Sequence, residues 1–458
     1  MSAIIFTAFF GLILLFAGVL HGDKQNIVKL AIAGIFVALC LNIYELIGVG
    51  EGYTLFGGML MINKFGLLFN CIVLFSTCFY FMISGKDFIK VGEHLAEYFA
   101  LMSFILCGIC MTSSFGNMLI LFLAIEIMSI PQYILAGTDK RNLKSNEASL
   151  KYFLMGSFST GFLLLGITLI YGTTGTFDIN AMQLGTTALD PLVLSGIILL
   201  VFSFAFKVSA APFHFWTPDV YDGSPTVFTS FMATVVKVAG FVAFIRMFSI
   251  SFNVNSVNAQ WMMVLSIITA ATLIIGNFTA VYQQNVKRML AYSSIAQAGF
   301  MLFAVIALNK LAMEGILLYA AAYCIATIGI FAILLKMKDY TFEGFNGLSK
   351  TQPVMAFTNT VFLFSLAGIP LTGGFFAKYF VLSAAVENGE FIWLVIVAVL
   401  CAAISAYYYF RIVIAMWFKE GNAETSENIS PAFKQLLVFG AVIIILLGVF
   451  PGVLLGWM

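Results

Sequence analysis

Residues Phe206 to Gly240 read FKVSAAPFHFWTPDVYDGSPTVFTSFMATVVKVAG, and the reading of this stretch decides the fold. It holds two lysines, Lys207 and Lys237, each inside a long apolar segment. Between them runs a polar, proline-broken passage with Pro212, His214, Trp216, Pro218, Asp219, Asp222 and Pro225. A lysine at the centre of a bilayer costs at least about 2.5–3.5 kcal/mol on insertion scales, so a chain keeps one there mainly for a purpose. The alternative is that a lysine of this pair snorkels to an interface, which suits Lys207 near Pro212 better than Lys237.

Composition sets the class. The 458 residues are 62% apolar and only 9% charged, with a mean hydropathy of +1.04 and a net charge of +1. A soluble chain carries about 25% charged residues. The expectation is an all-α polytopic membrane protein, and no basic cluster points to nucleic acid. The cysteines, Cys40, Cys71, Cys78, Cys107, Cys110, Cys324 and Cys401, all lie in apolar runs and read as small core residues. Cys107 and Cys110 form a CxxC within a helix with no second pair nearby, so no metal site is expected. The N-terminal run has neither a positive n-region nor a cleavage site and reads as a first spanning helix rather than a signal peptide.

Apolar runs of about 20 residues suffice to cross a bilayer. They fall near 3–20, 27–49, 59–83, 97–113, 116–136, 148–171, 191–213, 225–249, 259–282, 289–307, 312–336, 354–383, 391–417 and 433–457, which predicts 14 transmembrane helices in a single transmembrane domain over 1–458. Pro212 breaks the seventh run, and GIPLTGG at 368–374 breaks the twelfth. A break at membrane depth is tolerated only where protein or a water-filled cavity satisfies the freed backbone. Each break is a packing kink or marks an ion path. The passage from His214 to Ser224 suits a re-entrant half-helix, with Ser224 and Pro225 as N-cap and first residue of the eighth span. Sixteen of the 22 Lys and Arg lie at the loops after odd-numbered spans, which makes those loops cytoplasmic and both termini extracytoplasmic.

The intramembrane ionisable residues form a set. Glu126 sits mid-span in LILFLAIEIMSIPQYILAG, and a buried carboxylate stays charged only with a partner; Lys207, at similar depth on another span, is the expected one. An ion pair of this kind is a switch, because charging or moving one member alters the proton affinity of the other. Lys237 follows one span on, and Lys378 lies four residues past Gly374 at the second break. Glu45 and Glu314 sit near the outer ends and read as interfacial. Between Lys237 and Lys378 lie neutral polar groups, Ser293, Ser294, Gln297, Tyr319, Tyr323 and Thr327. The last three recur every four residues on one helix face. They support a water wire or make ordinary interhelical hydrogen bonds.

The runs AFKVSAAPFHFWTPDVYDGSPT, VYQQNVKRMLAYSSIAQAGF and LAGIPLTGGFFAKYF resemble the antiporter-like membrane subunits of respiratory complex I, over essentially all fourteen spans. Among these the chain is most similar to the N type of bacterial NADH–quinone oxidoreductase. The twelfth span carries Lys378 where the M type usually has glutamate. The chain stops after span 14, where the L type continues into a lateral helix. The eleventh span has tyrosines where the L and M types and the sodium–proton antiporters carry histidine and lysine. The resemblance implies two inverted five-helix repeats, spans 4–8 (97–249) and 9–13 (259–417). It implies a proton relay through Glu126, Lys207, Lys237 and Lys378, with His214, Ser293, Ser294, Gln297, Tyr319, Tyr323 and Thr327 as supporting polar path. Gln297 stands where a histidine is common.

By the same resemblance the protein sits in the bacterial inner membrane among lipids, neighbouring antiporter-like subunits and small membrane subunits. Quinone reduction elsewhere in the complex drives translocation. NADH, FMN, iron–sulfur clusters and quinone belong to partner subunits, since this chain has no GxGxxG after a strand and no cysteine cluster. Other readings are a subunit of a cation–proton antiporter, a related proton-pumping hydrogenase-type complex, or a membrane scaffold, which would leave the central charges without a purpose.

Overall fold

The structure, a computed structural model, describes residues 1–20, 24–182, 190–253 and 255–458, the side chains of 255–258 excepted. Among the described residues, twelve helices are long and apolar enough to cross a membrane unaided. The two broken spans complete the fourteen. The seventh span is helix Pro191–Lys207 followed by the short helix Trp216–Gly223, and the twelfth is Pro353–Ala367 followed by Gly373–Asn388.

Asn, Asp or Ser side chains start many of the spans. Asn117 caps the fifth span (Met118–Ala136), Asn142 the sixth (Leu143–Thr174), Asp190 the seventh, Asn285 the tenth (Val286–Ala307) and Asn309 the eleventh (Lys310–Lys336), each accepting a backbone N–H that the first turn leaves free. The expected cap at Ser224 is corrected. Ser224 instead closes the preceding short helix, its N–H on Val220 O, and its hydroxyl is buried without a partner; Pro225 takes the cap position of the eighth span, Thr226–Ser251. The third run is also corrected. It was expected to begin at 59, but residues Leu60–Ile62 are a strand paired antiparallel with Tyr53–Leu55, and the helix begins at Lys64. The alternation of buried and half-buried side chains in LMI marks a strand, and Asn63 then caps the helix. Arg246, near the C-terminal end of the eighth span, pins this hairpin by donating to Phe115 O at 2.7 Å and Met61 O at 3.0 Å.

Burial sorts the spans. The apolar windows of the eighth and eleventh are 100% buried, against 28% for the first (Ser2–Leu20). The tenth is also interior. The most enclosed helices are therefore those that carry Lys237, Ser293, Ser294, Gln297, Tyr319 and Tyr323. A membrane bundle gains nothing by burying polar groups, so an interior of this kind is held by packing and by specific hydrogen bonds. Away from it, Lys336 bonds both oxygens of Asp87 (2.7 and 2.9 Å) and Glu427 (2.5 Å), with Lys90 on Glu427 at 2.8 Å. This closed ion cluster ties the loop before the fourth span (Leu95–Thr112) and the loop before the fourteenth (Pro431–Val449) to the end of the eleventh.

Candidate functional site

Of the four charged residues expected at the site, Lys207 and Lys237 adjoin irregular backbone, and Lys378, within helix Gly373–Asn388, reaches it with its ammonium. Lys207 is the last residue of its helix, where the chain leaves the helical path. The short helix that follows is held on every side. Trp216 donates to Phe206 O at 3.1 Å and stacks on Tyr152 at 4.6 Å, and Lys287 caps the helix end through Asp222 O (3.0 Å) and Ser224 O (2.7 Å). Asp219 is bridged to Lys151 at 3.0 Å and to Arg288 at 3.2 Å. The re-entrant helix expected at His214–Ser224 is thus a fixed element. His214 itself is buried against Phe215, and its Nδ1 has no partner.

The expected contact between Glu126 and Lys207 is corrected: the two do not meet as an ion pair. Lys207 Nζ donates to Ser129 Oγ at 2.6 Å, and Glu126 Oε1 accepts from Thr160 Oγ1 at 2.7 Å. Both polar partners lay in view in the sequence, Ser129 three residues after Glu126 and Thr160 in the middle of the sixth span. Only the depth of that span relative to the fifth brings Thr160 to the carboxylate.

Lys237 follows a single π-turn, Met232–Val236. A π-turn widens the backbone ring and disturbs the regular ladder, and such turns gather at functional sites. Two tyrosines take its carbonyls: Tyr221 OH donates to Met232 O at 3.3 Å and Tyr323 OH to Ala233 O at 2.9 Å. The Lys237 ammonium donates to Ser294 O and Ser294 Oγ, both at 2.9 Å, and lies 5.9 Å from the centre of the Tyr221 ring.

Lys378 belongs to the second break. Its ammonium donates to Leu366 O at 2.8 Å and Ala367 O at 3.0 Å, the last carbonyls of helix Pro353–Ala367, and lies 4.5 Å from the centre of the Phe300 ring. Helix C-termini carry partial negative charge and orphan carbonyls, so a cation is at home there. Glycine makes the geometry possible. Gly368 has φ +86°, and a Cβ on it would lie 2.9 Å from Lys378 Cδ. A Cβ on Gly374 would lie 1.8 Å from Ser365 O.

Gln297 joins the lysines. Its Nε2 donates to Leu366 O at 2.8 Å, the carbonyl that Lys378 also uses, and to Tyr409 OH at 3.0 Å. Its Oε1 accepts from Tyr319 OH, and Tyr409 OH in turn bonds Ser293 Oγ. Two hydrogen-bonded chains therefore end on neighbouring residues of the tenth span, Ser294 from Lys237 and Ser293 from Lys378. A small cavity of about 10 Å³ lies among Gln297, Tyr319, Tyr323, Ser365 and Lys378, at the lower edge of what one water needs. Tyr319 and Tyr323 make interhelical bonds rather than pointing into an open wire, and Thr327 Oγ1 has no partner. Tyr409 and Tyr221 were not singled out in the sequence. Tyr409 sits in a run of three tyrosines inside the thirteenth span, Ile392–Trp417, and nothing in that run says which hydroxyl faces inward. Among the described residues, no group of three or more His, Cys, Asp or Glu is placed to hold a metal.

The family model described as "NADH:quinone oxidoreductase/Mrp antiporter, TM" matches residues 116–405, which contain all four charged residues. NADH-quinone oxidoreductase subunit N of Cytophaga hutchinsonii is 44% identical over 405 residues, 87% of each chain. Subunit N of Flavobacterium psychrophilum is 37% identical over 461 residues, 99% of each. Among solved structures, a chain of respiratory complex I from Thermus thermophilus with bound aureothin superposes with a TM-score of 0.85 at 30% identity, covering 99% of this chain and 98% of that one. A chain of the Mrp complex from Dietzia shares the fold, with a TM-score of 0.86 at 19% identity, over 100% of this chain and 95% of its own length. With a matched region that spans both broken helices and relatives alike from end to end, the chain belongs to the family of NADH:quinone oxidoreductase and Mrp antiporter membrane subunits, among the relatives named subunit N.

Proposed function

We propose that this chain is a proton-translocating membrane subunit of an NADH–quinone oxidoreductase, multi-pass in the bacterial inner membrane with both termini outside. Glu126, Lys207, Lys237 and Lys378 are its titrating groups. NADH, FMN, iron–sulfur clusters and quinone belong to partner subunits in this reading, and quinone reduction there drives the charge changes here. The repeats at 97–249 and 259–417 each supply one broken span with its lysine. His214, Ser293, Ser294, Gln297, Tyr319, Tyr323 and Thr327 line the polar route.

The observation that carries this reading is the pair of buried hydrogen-bonded chains from Lys237 and Lys378, which end on the adjacent residues Ser294 and Ser293. A proton needs acceptors and donors at close intervals, and this interior supplies them where a bundle held by packing alone would not. The lysines rest on carbonyls and hydroxyls, so each amine keeps hydrogen-bond partners with or without its extra proton.

The test is Glu126→Gln in the assembled complex, reconstituted in proteoliposomes. The substitution keeps the size and removes the charge. Assembly with weakened proton pumping is expected, and normal pumping would remove Glu126 and Lys207 from the mechanism. Mild-detergent purification separates the family's two branches. Iron–sulfur and flavin subunits should co-purify; small antiporter subunits alone would favour a cation–proton antiporter.

A further inference from the structure

The eighth span, Thr226–Ser251, is fixed on both sides of its π-turn. At the start Lys287 donates to Ser224 O at 2.7 Å and Tyr80 to Val227 O at 2.6 Å; towards the end Arg246 donates to Phe115 O and Met61 O. A π-turn holds one residue more than the α-turn it replaces. With both ends fixed, that residue stays within the span, and its place decides which side chains face inward. Moving it past Lys237 would turn that residue by about 100° and shift it about 1.5 Å along the axis. Val236 or Val238 would then take the side that faces Ser294.

Building on the relay reading of Lys237 above, we propose that Tyr221 and Tyr323 are positioning residues that keep the π-turn at Met232–Val236 and so aim Lys237 at Ser294. When a ladder returns from i+5 to i+4 spacing it passes over one carbonyl, and inside a membrane bundle there is no bulk water to take it. Both hydroxyls stand where that need arises. Tyr323 OH lies 2.9 Å from Ala233 O, and Tyr221 OH lies 3.3 Å from Met232 O, which is long for a hydroxyl donor. Among the described hydrogen bonds, the carbonyls from Thr234 to Ile245 take no side-chain donor, so a turn placed further along would find no such partner. Both tyrosines are buried and come from other elements, Tyr323 from the eleventh span and Tyr221 from the short helix Trp216–Gly223. Tyr221 is itself tied to the eighth span, because its carbonyl accepts from Thr229 Oγ1 at 2.9 Å. It meets the turn with its hydroxyl and the Lys237 ammonium with its ring.

The test is electron cryo-microscopy of the assembled complex, beside proton-to-electron ratios in proteoliposomes. One lost hydrogen bond shifts the balance between two placements of the turn about fivefold, and two lost bonds shift it about thirtyfold. In the double variant Tyr221→Phe with Tyr323→Phe, the turn should leave Met232–Val236, Lys237 should lie off Ser294, and the ratio should fall. Tyr323→Phe alone should do more than Tyr221→Phe alone, because its bond is the shorter. Tyr80→Phe removes a bond of the same kind from Val227 O, outside the turn, and should leave both Lys237 and the ratio as in wild type. A double variant with Lys237 still on Ser294 overturns the positioning role, and so does a Tyr80→Phe variant that displaces Lys237. Should the double variant fail to assemble, the two single variants carry the same comparison. Failure of both singles to assemble would show that these hydroxyls hold the bundle rather than the turn, which overturns the proposal as well. A displaced Lys237 with the wild-type ratio leaves the tyrosines their place at the turn and overturns the relay reading of Lys237 instead.

Discussion

Tyr409→Phe removes one oxygen from the middle of the hydrogen-bonded series and changes neither charge nor shape. The lost hydroxyl bonds Ser293 Oγ on one side and Gln297 Nε2, at 3.0 Å, on the other. Each lost bond is worth about 1 kcal/mol net, and a buried group left unpaired costs about 1–3 kcal/mol. Little is left unpaired here. Gln297 Nε2 still donates to Leu366 O at 2.8 Å, Gln297 Oε1 still accepts from Tyr319, and Ser293 is able to turn to a carbonyl of its own helix. The structural cost is therefore at the low end, about 1–2 kcal/mol, spread over a helix packed on several others. The complex should assemble and melt within a few degrees of wild type. Function should fall much further, because the link between the Ser293 and Gln297 ends of the route is gone.

The assay is proton pumping per electron in proteoliposomes, with assembly checked on native gels. At least a tenfold fall in the proton transfer that depends on this chain is expected. An assembled Tyr409→Phe variant with the wild-type proton-to-electron ratio would refute the route through Tyr409. A variant that fails to assemble would contradict the energetic argument instead.

Arginine keeps the charge of a lysine but is never deprotonated in practice, so Lys237→Arg and Lys378→Arg should assemble yet impair pumping, whereas Lys336→Arg, which only holds Asp87 and Glu427, should pump normally; wild-type stoichiometry in the first two would show that neither lysine releases its proton. Overpacking at Lys378, where the neighbouring cavity is about 10 Å³, adds about 1–3 kcal/mol, so melting of that variant is to be measured beside its activity. Glu51, exposed after the second span (Lys24–Gly48), should label as cysteine from outside intact spheroplasts and Arg141 should not; the reverse pattern would invert the orientation. Hydrogen bonds from Lys336 and Lys90 hold the Glu427 carboxyl below its ordinary range. The tether it provides is full above about pH 4.3 and lost as pH falls through the lowered value, so hydrogen exchange in residues 418–430 should rise only on the acid side of about 4.3, and a rise near neutrality would contradict it.

Much of this arrangement was legible before the fold. Apolar run length gives the spans, because a bilayer admits few solutions to backbone satisfaction, and proline and glycine mark the two breaks. The four central charges stand out against an apolar background. What the sequence does not carry is the vertical offset between helices. Glu126 and Lys207 lie at similar depth by counting residues, yet a difference of one helical step decides whether the ammonium meets a carboxylate or Ser129. The facing side of a helix is equally hidden when every side is apolar. Tyr407, Tyr408 and Tyr409 look alike in sequence, while in the fold Tyr407 is exposed, Tyr408 bonds Asn277 and Tyr409 joins the route. The π-turn before Lys237 has no sequence mark at all, since MATVV is an ordinary helical run.

Lys336 shows why the partners matter more than the burial. It is as buried as Lys378, but it bonds two carboxylates, and removing its proton would leave Asp87 and Glu427 with the half-exposed Lys90 as their one remaining cation among the described contacts. Lys237 and Lys378 rest instead on Ser294 and on the carbonyls of Leu366 and Ala367. These acceptors carry no net charge, and a neutral amine still donates to a carbonyl, so loss of the proton strands nothing. Acceptors of that kind are scarce inside a membrane helix, whose carbonyls are already in the ladder. They become free where a helix ends, as at 366–367. A helix end that offers free carbonyls beside a buried lysine, with no carboxylate in reach, is thus the condition for an amine that is stably placed and still free to lose its proton; Lys378 has it at the second break, whereas Lys336, also at a helix end, is paired with Asp87 and Glu427.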